Sequence, residues 1–240
     1  MESSLAEFKE TESQEAFSLQ NPRLLKVRLD EVTIQARQGS MVAYQGDVHF
    51  EHAGSGMKRL MKKVATGEGV DLMKVSGRGE VFLAFQAEEV HLLKLENDEI
   101  TCNGKNLLAF DAGVDWDIKR VEGVSGILTG GLFNVKLKGT GTVAVISDGP
   151  PLLLETGGEP TFCDPQAAIV WSSGVSTSVK TDASLKSFVG MGSGESVQVA
   201  MHGDGWVLVQ PSEGRVEQTV SGRGGQSGGG IGGLLGNLSS

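Results

Sequence analysis

The sequence predicts an all-β protein built from three tandem β repeats, and three observations support this class. An apolar run that ends on an aromatic residue, followed by glycine and then valine, occurs around Tyr44, Phe110 and Trp171. A Gly-x-Gly triplet follows 29 to 33 residues later, at residues 77–79, 139–141 and 203–205. Apolar residues alternate with other residues on both sides of each triplet, which is the period of a β-strand.

The two markers give the same period. The aromatic residues are 66 and 61 positions apart, and the triplets are 62 and 64 positions apart. A glycine-rich unit of about 63 residues is too small to bury a good core alone, so neighbouring repeats should share one. We therefore expect a single β body with an approximate threefold axis, that is, pseudo-threefold symmetry.

Each Gly-x-Gly triplet is expected to form the turn of a β-hairpin. The flanking strands should turn one set of apolar side chains to a common face, and residues such as Lys74 and Lys136 to the other. That apolar set comprises Met73, Val75, Val81 and Leu83, then Val135, Leu137, Val143 and Val145, then Val199, Met201, Val207 and Val209. Tyr44, Phe110 and Trp171 lie inside apolar runs and are expected in the core.

The ends differ in composition from the middle. Residues 1–20 contain five glutamates and one lysine and predict an acidic flexible segment. Residues 21–211 should form one triplicated domain, with repeats at about 21–95, 96–158 and 159–211. Residues 212–240 should form a flexible tail, because nine of the fifteen residues 222–236 are glycine. Two interpretations of the apolar segment 231–238 stay open, a docking segment and incidental leucines.

Composition excludes several function classes. The formal charge of −9 and the pI near 5.0 disfavour nucleic-acid binding, which usually needs a basic surface. No window approaches the roughly 20 apolar residues of a membrane-spanning helix. Cys102 and Cys163 lack Cys-x-x-Cys spacing, which favours a reducing compartment.

No catalytic constellation is recognisable. Among four histidines only His49 and His52 are close, and positions three apart in a strand lie on opposite faces, so no metal site is expected. The segment 190–194 is glycine-rich but lacks the Lys-Ser/Thr of a phosphate loop. The acidic pairs at 88–89 and 96–99 flank a predicted strand at 90–95, with a turn at Asn97-Asp98. We expect no enzymatic activity and no cofactor.

The repeated unit, with residues 106–110 and Gly113-Val114 in its second copy, resembles the altered-inheritance-of-mitochondria family, formerly domain of unknown function 124. The resemblance covers about residues 22–211. It implies repeats of the short double-stranded β-helix type found in the tryptophan attenuation protein, often assembled further around a threefold axis. Bacterial members have no established activity, and mitochondrial relatives are linked to inner-membrane organisation. The acidic amino terminus lacks an import signal, so a bacterial cytoplasmic protein is expected, with the inner face of the membrane as an alternative location.

The attenuation protein binds RNA through repeated basic residues on its ring edge. The matching triplet positions here are Arg78, Thr140 and Asp204, of which one is basic. RNA binding is therefore not expected.

A candidate contact surface lies at the same phase of each repeat. In the first repeat, apolar residues recur at i, i+3, i+4 and i+7 with basic residues between them, which predicts a short basic amphipathic helix. The candidate residues are Met57, Lys58, Arg59, Leu60, Met61, Lys62, Lys63, Ile127, Leu128, Leu132, Phe133, Phe188, Val189 and Met191. These segments either plug the open end of the β body or form an exposed patch for another subunit, a protein partner or a lipid surface.

These observations lead to one functional expectation and one alternative. The expected function is that of a non-enzymatic scaffold or binding protein acting through a homo-oligomer, with a trimer favoured. The alternative is a peripheral membrane-associated organiser that contacts lipid through the apolar and basic loops.

Overall fold

The computed structural model describes residues 4–52, 71–120, 133–181 and 197–212, and these residues form an all-β fold. The predicted all-β class is therefore confirmed. The strands are β1 Phe17–Asn21, β2 Leu24–Asp30, β3 Ile34–Arg37, β4 Met41–His52, β5 Leu72–Leu83, β6 Glu89–Asn103, β7 Leu107–Asp111, β8 Asp115–Arg120, β9 Phe133–Ser147, β10 Leu152–Thr156, β11 Thr161–Cys163, β12 Ala168–Ser172, β13 Ser176–Thr181, β14 Val197–His202 and β15 Gly205–Val209. Short 3-10 helices cover Ser4–Phe8 and Gly104–Asn106.

The strands form two antiparallel sheets. The larger sheet has twelve strands, with the main order β1-β2-β5-β3-β7-β9-β6-β12-β15-β10. Strand β4 pairs with β5, and β8 pairs with β9, off this main path. The smaller sheet has the order β11-β14-β13. Strands from the start, the middle and the end of the chain thus follow one another across one continuous sheet.

The strand that carries each repeated aromatic residue pairs in the same way in all three places. Strand β4 pairs with β5, β7 with β9, and β12 with β15. Within these ladders the opposed residues are Tyr44 and Val81, Phe110 and Val143, and Trp171 and Val207. The strand that follows the glycine pairs with residues that precede the triplet, as β8 does with the earlier part of β9 and β13 does with β14.

The hairpin turns expected at the Gly-x-Gly triplets are wrong. Residues 77–79 lie inside β5 and residues 139–141 inside β9. Gly203 and Asp204 separate β14 from β15, but these two strands do not pair with each other, because β14 lies in the smaller sheet and β15 in the larger one. Gly77 has a φ of +120°, and a Cβ added there would collide with the carbonyl oxygen of Asp47 on β4. Glycine is needed because the two backbones approach closely while both strands continue.

The alternating apolar residues do face the core. Ten of the twelve predicted side chains are buried, and Met73 and Val209 are half-buried. One core cluster joins β2 and β5 to Leu108 of β7 and Ile146 of β9. A second cluster joins β9 to Ile169 and Val170 of β12. Cores therefore form between successive parts of the chain, as well as within each part.

The turn expected at Asn97-Asp98 is also wrong, because β6 runs without interruption from Glu89 to Asn103. A bulge lies between Glu96 and Asp98, and Asn97 takes a φ of +61°. The Asn97 backbone N–H donates to Thr140 Oγ1 on β9 at 3.0 Å. The Asn97-Asp98 pair does mark irregular backbone, but the irregularity is a bulge within a paired strand.

The amino-terminal segment is attached to the sheet. The expected boundary at residue 20 lies inside β1, which pairs with β2. The buried Lys26 Nζ lies 2.5 Å from Glu10 Oε1 and 2.9 Å from Glu80 Oε1. The Arg28 backbone N–H donates to the Ala16 carbonyl at 2.8 Å. Residues 9–20 were expected to be flexible, and these contacts instead hold them against β2.

Candidate interaction surface

Most of the candidate contact residues lie outside the described residues. This applies to residues 57–63, to Ile127, Leu128 and Leu132, and to Phe188, Val189 and Met191. Phe133 is described, and it begins β9 with a side chain that is 9% exposed. Its ring lies against Gly104, where an added Cβ would collide with it. Phe133 is therefore a core residue of the second cluster.

Among the described strands, β4 carries the largest number of exposed large apolar side chains, and the sequence-based search did not select it. Met41, Val42, Tyr44 and Phe50 all have exposed side chains, and Val42 is 60% exposed. The rings of Tyr44 and Phe50 contact each other edge to face, with centroids 5.4 Å apart. Tyr44 was expected in the core, and that prediction is wrong, because its side chain is 50% exposed.

The corresponding strands elsewhere in the chain are buried. All four residues from Leu107 to Phe110 of β7 are fully buried, and residues 168–171 of β12 are buried too. The difference has a simple cause. Strand β7 is covered on its second edge by β3, and β12 by β6. Among the described residues, β4 pairs with β5 alone.

Strand β11 is a short strand of the smaller sheet, where it pairs with β14. Its central residue, Phe162, is 47% exposed. Strand β3 pairs with β5, and the second half of β6 pairs with β9, as β11 pairs with β14. Both β3 and the second half of β6 also have a partner strand on their other edge.

The two cysteines are poor candidates for a catalytic nucleophile. Burial raises the pKa of the Cys163 thiol to about 11, with a smaller contribution from the nearby Asp164 carboxylate. Burial also raises the pKa of Cys102, which is fully enclosed. Both thiols are therefore protonated at neutral pH and are weak nucleophiles.

The histidines are dispersed. His49 is exposed, and its Nε2 lies 3.4 Å from Asp47 Oδ1 on the same strand. His52 ends β4 three positions further along. Burial lowers the pKa of His91, against the opposing charge of Glu89, and its Nε2 lies 2.7 Å from Ser147 Oγ. Within the part of the chain that the structure describes, no three His, Cys, Asp or Glu side chains converge as metal ligands would.

Two comparisons place the chain among known proteins. Residues 17–212 match the model of the family described as mitochondrial biogenesis AIM24. The chain belongs to the AIM24 family. The resemblance inferred from the repeated unit is thereby confirmed, and the matched range runs from the first residue of β1 to just beyond β15.

A solved structure of similar fold supports the architecture. The chain is similar to protein SPYM3_0169 from Streptococcus pyogenes, with a TM-score of 0.67 and 20% sequence identity. The match covers 82% of this chain and 92% of the streptococcal chain. A search of curated proteins finds no match. None of the helices in the described ranges is long and apolar enough to cross a membrane.

Sequence reasoning missed the β4 surface for an identifiable reason. The apolar run 41–44 has the same pattern as the runs ending at Phe110 and Trp171, and its pattern therefore predicts burial. Whether such a run is buried depends on the strand that pairs along its second edge, which the run itself does not record.

Proposed function

We propose that this AIM24-family chain is a non-enzymatic scaffold or binding protein that acts as a homo-oligomer. The observation that carries the proposal is the exposed apolar strand β4, whose counterparts β7 and β12 are buried within the chain. Contiguous exposed apolar surface on a folded protein usually marks an interaction site. An assembly of three copies is the expected form, and within each copy we propose three attenuation-protein-like repeats with pseudo-threefold symmetry.

Repetition within the chain is supported by the shared ladder positions. Tyr44, Phe110 and Trp171 each oppose a valine on the long partner strand. The residues that precede each Gly-x-Gly triplet pair with corresponding short strands, as Val75 does with Ile34 and Leu137 with Ile100. One pairing scheme therefore applies along the chain.

The edge of β4 lacks the usual protection against association. Natural edge strands are commonly protected by lysine, proline or a covering segment. The twelve residues of β4 include no lysine, arginine or proline. Within the described residues the outer edge of β4 has no strand partner, so its backbone groups and apolar side chains are available to a further strand.

The oligomer is tested by analytical ultracentrifugation across a range of protein concentrations. We expect a parent assembly larger than one chain, and dissociation in the Val42→Glu/Tyr44→Glu variant. Leu152→Glu is the matched control, because Leu152 is 58% exposed on β10, at the far end of the large sheet. A parent that sediments as a single chain at all concentrations would refute the proposal.

The membrane-associated alternative remains a prediction. Its residues lie at 57–63, 127–133 and 188–191, of which only Phe133 is described. Flotation with anionic liposomes tests it, using a variant in which Lys58, Arg59, Lys62 and Lys63 are changed to glutamate. Flotation of the parent and its loss in the variant would support lipid contact through the basic segment. Unchanged flotation, or none in the parent, eliminates it.

A further inference from the structure

We propose that residues 4–15 of the amino-terminal segment form part of the association surface, and that a second copy contacts Phe8 together with the outer edge of β4. This inference rests on the proposed homo-oligomer and adds a second element to the surface that builds it. The Glu10 carboxylate holds these residues beside β4, so the association of the copies depends on that carboxylate.

Strand β4 is too small to form a stable interface alone. A stable protein interface buries about 800 Å² on each partner and involves roughly 20–30 residues of each. Strand β4 has twelve residues, and its inner edge is already occupied by β5. A homo-oligomer that uses β4 therefore needs further surface next to this strand.

Glu10 connects the amino-terminal segment to three adjacent strands. At Glu80, β5 pairs with β2 on one side and with β4 on the other. The Glu10 Oε1 atom lies 2.5 Å from Lys26 Nζ of β2, and Glu10 Oε2 accepts from Gln45 Nε2 of β4 at 3.4 Å. The segment therefore reaches β4 through the Glu10 side chain.

The contact with Glu10 and the exposed Tyr44 ring lie on opposite faces of β4. Gln45 shares a face with Glu80, its partner in the ladder. Tyr44 is one position earlier and points to the other face, because neighbouring residues of a strand alternate. A chain that adds along the outer edge of β4 meets both faces. Such a chain therefore contacts the amino-terminal segment as well as Tyr44.

Phe8 supplies exposed apolar surface beside this edge. Its side chain is 71% exposed, the largest fraction among the exposed large apolar residues of the described ranges. Phe8 ends the first 3-10 helix and precedes Glu10 by two residues, so their Cα atoms are at most about 7.6 Å apart. Covering such a ring removes a large apolar area from water. The aromatic side chains of Phe8 and Tyr44 are thus both available to a second copy.

Polar contacts hold the amino-terminal segment in place. None of residues 4–15 is buried. The Lys26 ammonium donates to the Thr11 carbonyl at 3.0 Å, and the Arg28 guanidinium donates to the Gln14 carbonyl at 2.7 Å. Because no apolar side chain of these residues is buried, loss of the Glu10 contacts should release them from β4 while the sheet stays folded.

Sedimentation equilibrium of the full chain tests the proposal with two variants. Phe8→Ser should raise the dissociation constant of the oligomer about tenfold or more, because it removes the ring that a second copy covers. Glu10→Gln should also raise it, because the segment loses its ion pair with Lys26. The melting temperature of Phe8→Ser, measured where the chains are dissociated, should equal that of the parent, since Phe8 is exposed.

Each variant has a matched control. Leu153→Ser removes a 57% exposed apolar side chain from β10, at the far end of the large sheet. Glu12→Gln makes the same chemical change as Glu10→Gln at an exposed position of the same segment. Both controls should change the dissociation constant by less than about twofold.

Three outcomes would overturn the proposal. In the first, Phe8→Ser or Glu10→Gln associates like the parent while Val42→Glu/Tyr44→Glu dissociates. The homo-oligomer through β4 then stands, and only the contribution of the amino-terminal segment is refuted. In the second, the controls weaken association as much as the variants, so the effect does not locate an interface. In the third, the parent sediments as a single chain at all concentrations, which refutes this inference and the proposed function together.

Discussion

Asn106 and Gln210 form a buried hydrogen bond that joins positions 104 residues apart in the chain. The Asn106 Nδ2 donates to Gln210 Oε1 at 3.2 Å and to the Ile146 carbonyl at 2.8 Å. The same Gln210 oxygen accepts from the Asp148 backbone N–H at 3.1 Å. Gln210 thus connects the residue after β15 to the start of β7 and to the end of β9.

Replacing Gln210 by alanine should lower the free energy of unfolding. The variant removes the acceptor of the half-buried Asp148 N–H and of the buried Asn106 amide, and removing one partner of a buried hydrogen bond costs about 1–3 kcal/mol. Urea unfolding monitored by tryptophan fluorescence measures the loss. Gln198→Ala, a truncation of equal size on the half-buried Gln198 of β14, should change stability by less than about 0.5 kcal/mol. Equal effects of the two variants would contradict a specific role for Gln210.

Replacing Gly77 by alanine should be severely destabilising. Gly77 has a φ of +120°, and its added Cβ would collide with the Asp47 carbonyl on the paired strand. Strained backbone alone costs about 1–3 kcal/mol, and the collision adds to that. Gly113→Ala is the control, because a Cβ there has no neighbour within 4 Å. We expect thermal unfolding to show a large fall for Gly77→Ala and little change for Gly113→Ala, and comparable melting temperatures would contradict the close approach.

Acid should release the amino-terminal segment from β2. Hydrogen bonds with Glu80 and Lys26 lower the pKa of Glu10 from its ordinary value of 4.5, against partial desolvation. A carboxyl group with a lowered folded-state pKa stabilises the attachment above that ordinary value, and the contribution is lost as pH falls through the folded-state pKa. Amide NMR spectra should show the Thr11 N–H, which donates to Gln20 Oε1 at 2.8 Å, shifting as pH falls below 4.5.

The same attachment should weaken at strongly alkaline pH. Burial lowers the pKa of Lys26, but hydrogen bonds to Glu10 and Glu80 outweigh this and raise it above 10.5. A raised pKa contributes stability below 10.5, and the contribution is lost as pH rises through the folded-state value. Glu10→Gln should reduce both the acid and the alkaline transition of the attachment, whereas Glu7→Gln in the exposed 3-10 helix should leave both unchanged. Identical titrations for the two variants would exclude the Lys26 cluster as their origin.

Phe110 and Tyr44 should respond very differently to truncation, although the sequence places them in the same motif. Phe110 is fully buried, so Phe110→Ala should cost about 3–5 kcal/mol of unfolding free energy. Tyr44 is half exposed, so Tyr44→Ala should cost less than about 1 kcal/mol at concentrations where the protein is dissociated. Denaturant unfolding at low concentration provides both values. A similar cost for Tyr44 would show that β4 is covered within a single chain.

Local sequence patterns predicted the strands and their faces well. Residues such as Val75, Val81 and Leu83 alternate with a period of two, and all three are buried. The spacing of the aromatic residues predicted corresponding strands, and their partners are indeed corresponding valines. These features depend on interactions between near neighbours, which a sequence pattern records directly.

The glycine and asparagine residues correctly indicated irregular backbone, but the turns predicted from them are wrong. Gly77 and Asn97 both have positive φ values, yet each lies within a long strand. A positive φ permits a reversal, a bulge or a close crossing of strands. The choice among them depends on whether a partner strand runs alongside, as β4 does for β5 and β9 does for β6. That information lies elsewhere in the chain.

The sequence by itself determined the all-β class, the period of about 63 residues and which side chains of the long strands face the core, because these follow from local alternation and repetition. Only the tertiary structure decided that Tyr44 is exposed while Phe110 and Trp171 are buried. Their motifs are alike, but the burial of each side chain depends on which strand pairs along the second edge of its own strand. Strand β3 pairs along the second edge of β7 and β6 along that of β12, whereas among the described residues β4 pairs with β5 alone. The same local pattern therefore makes a core in two places and a surface in the third.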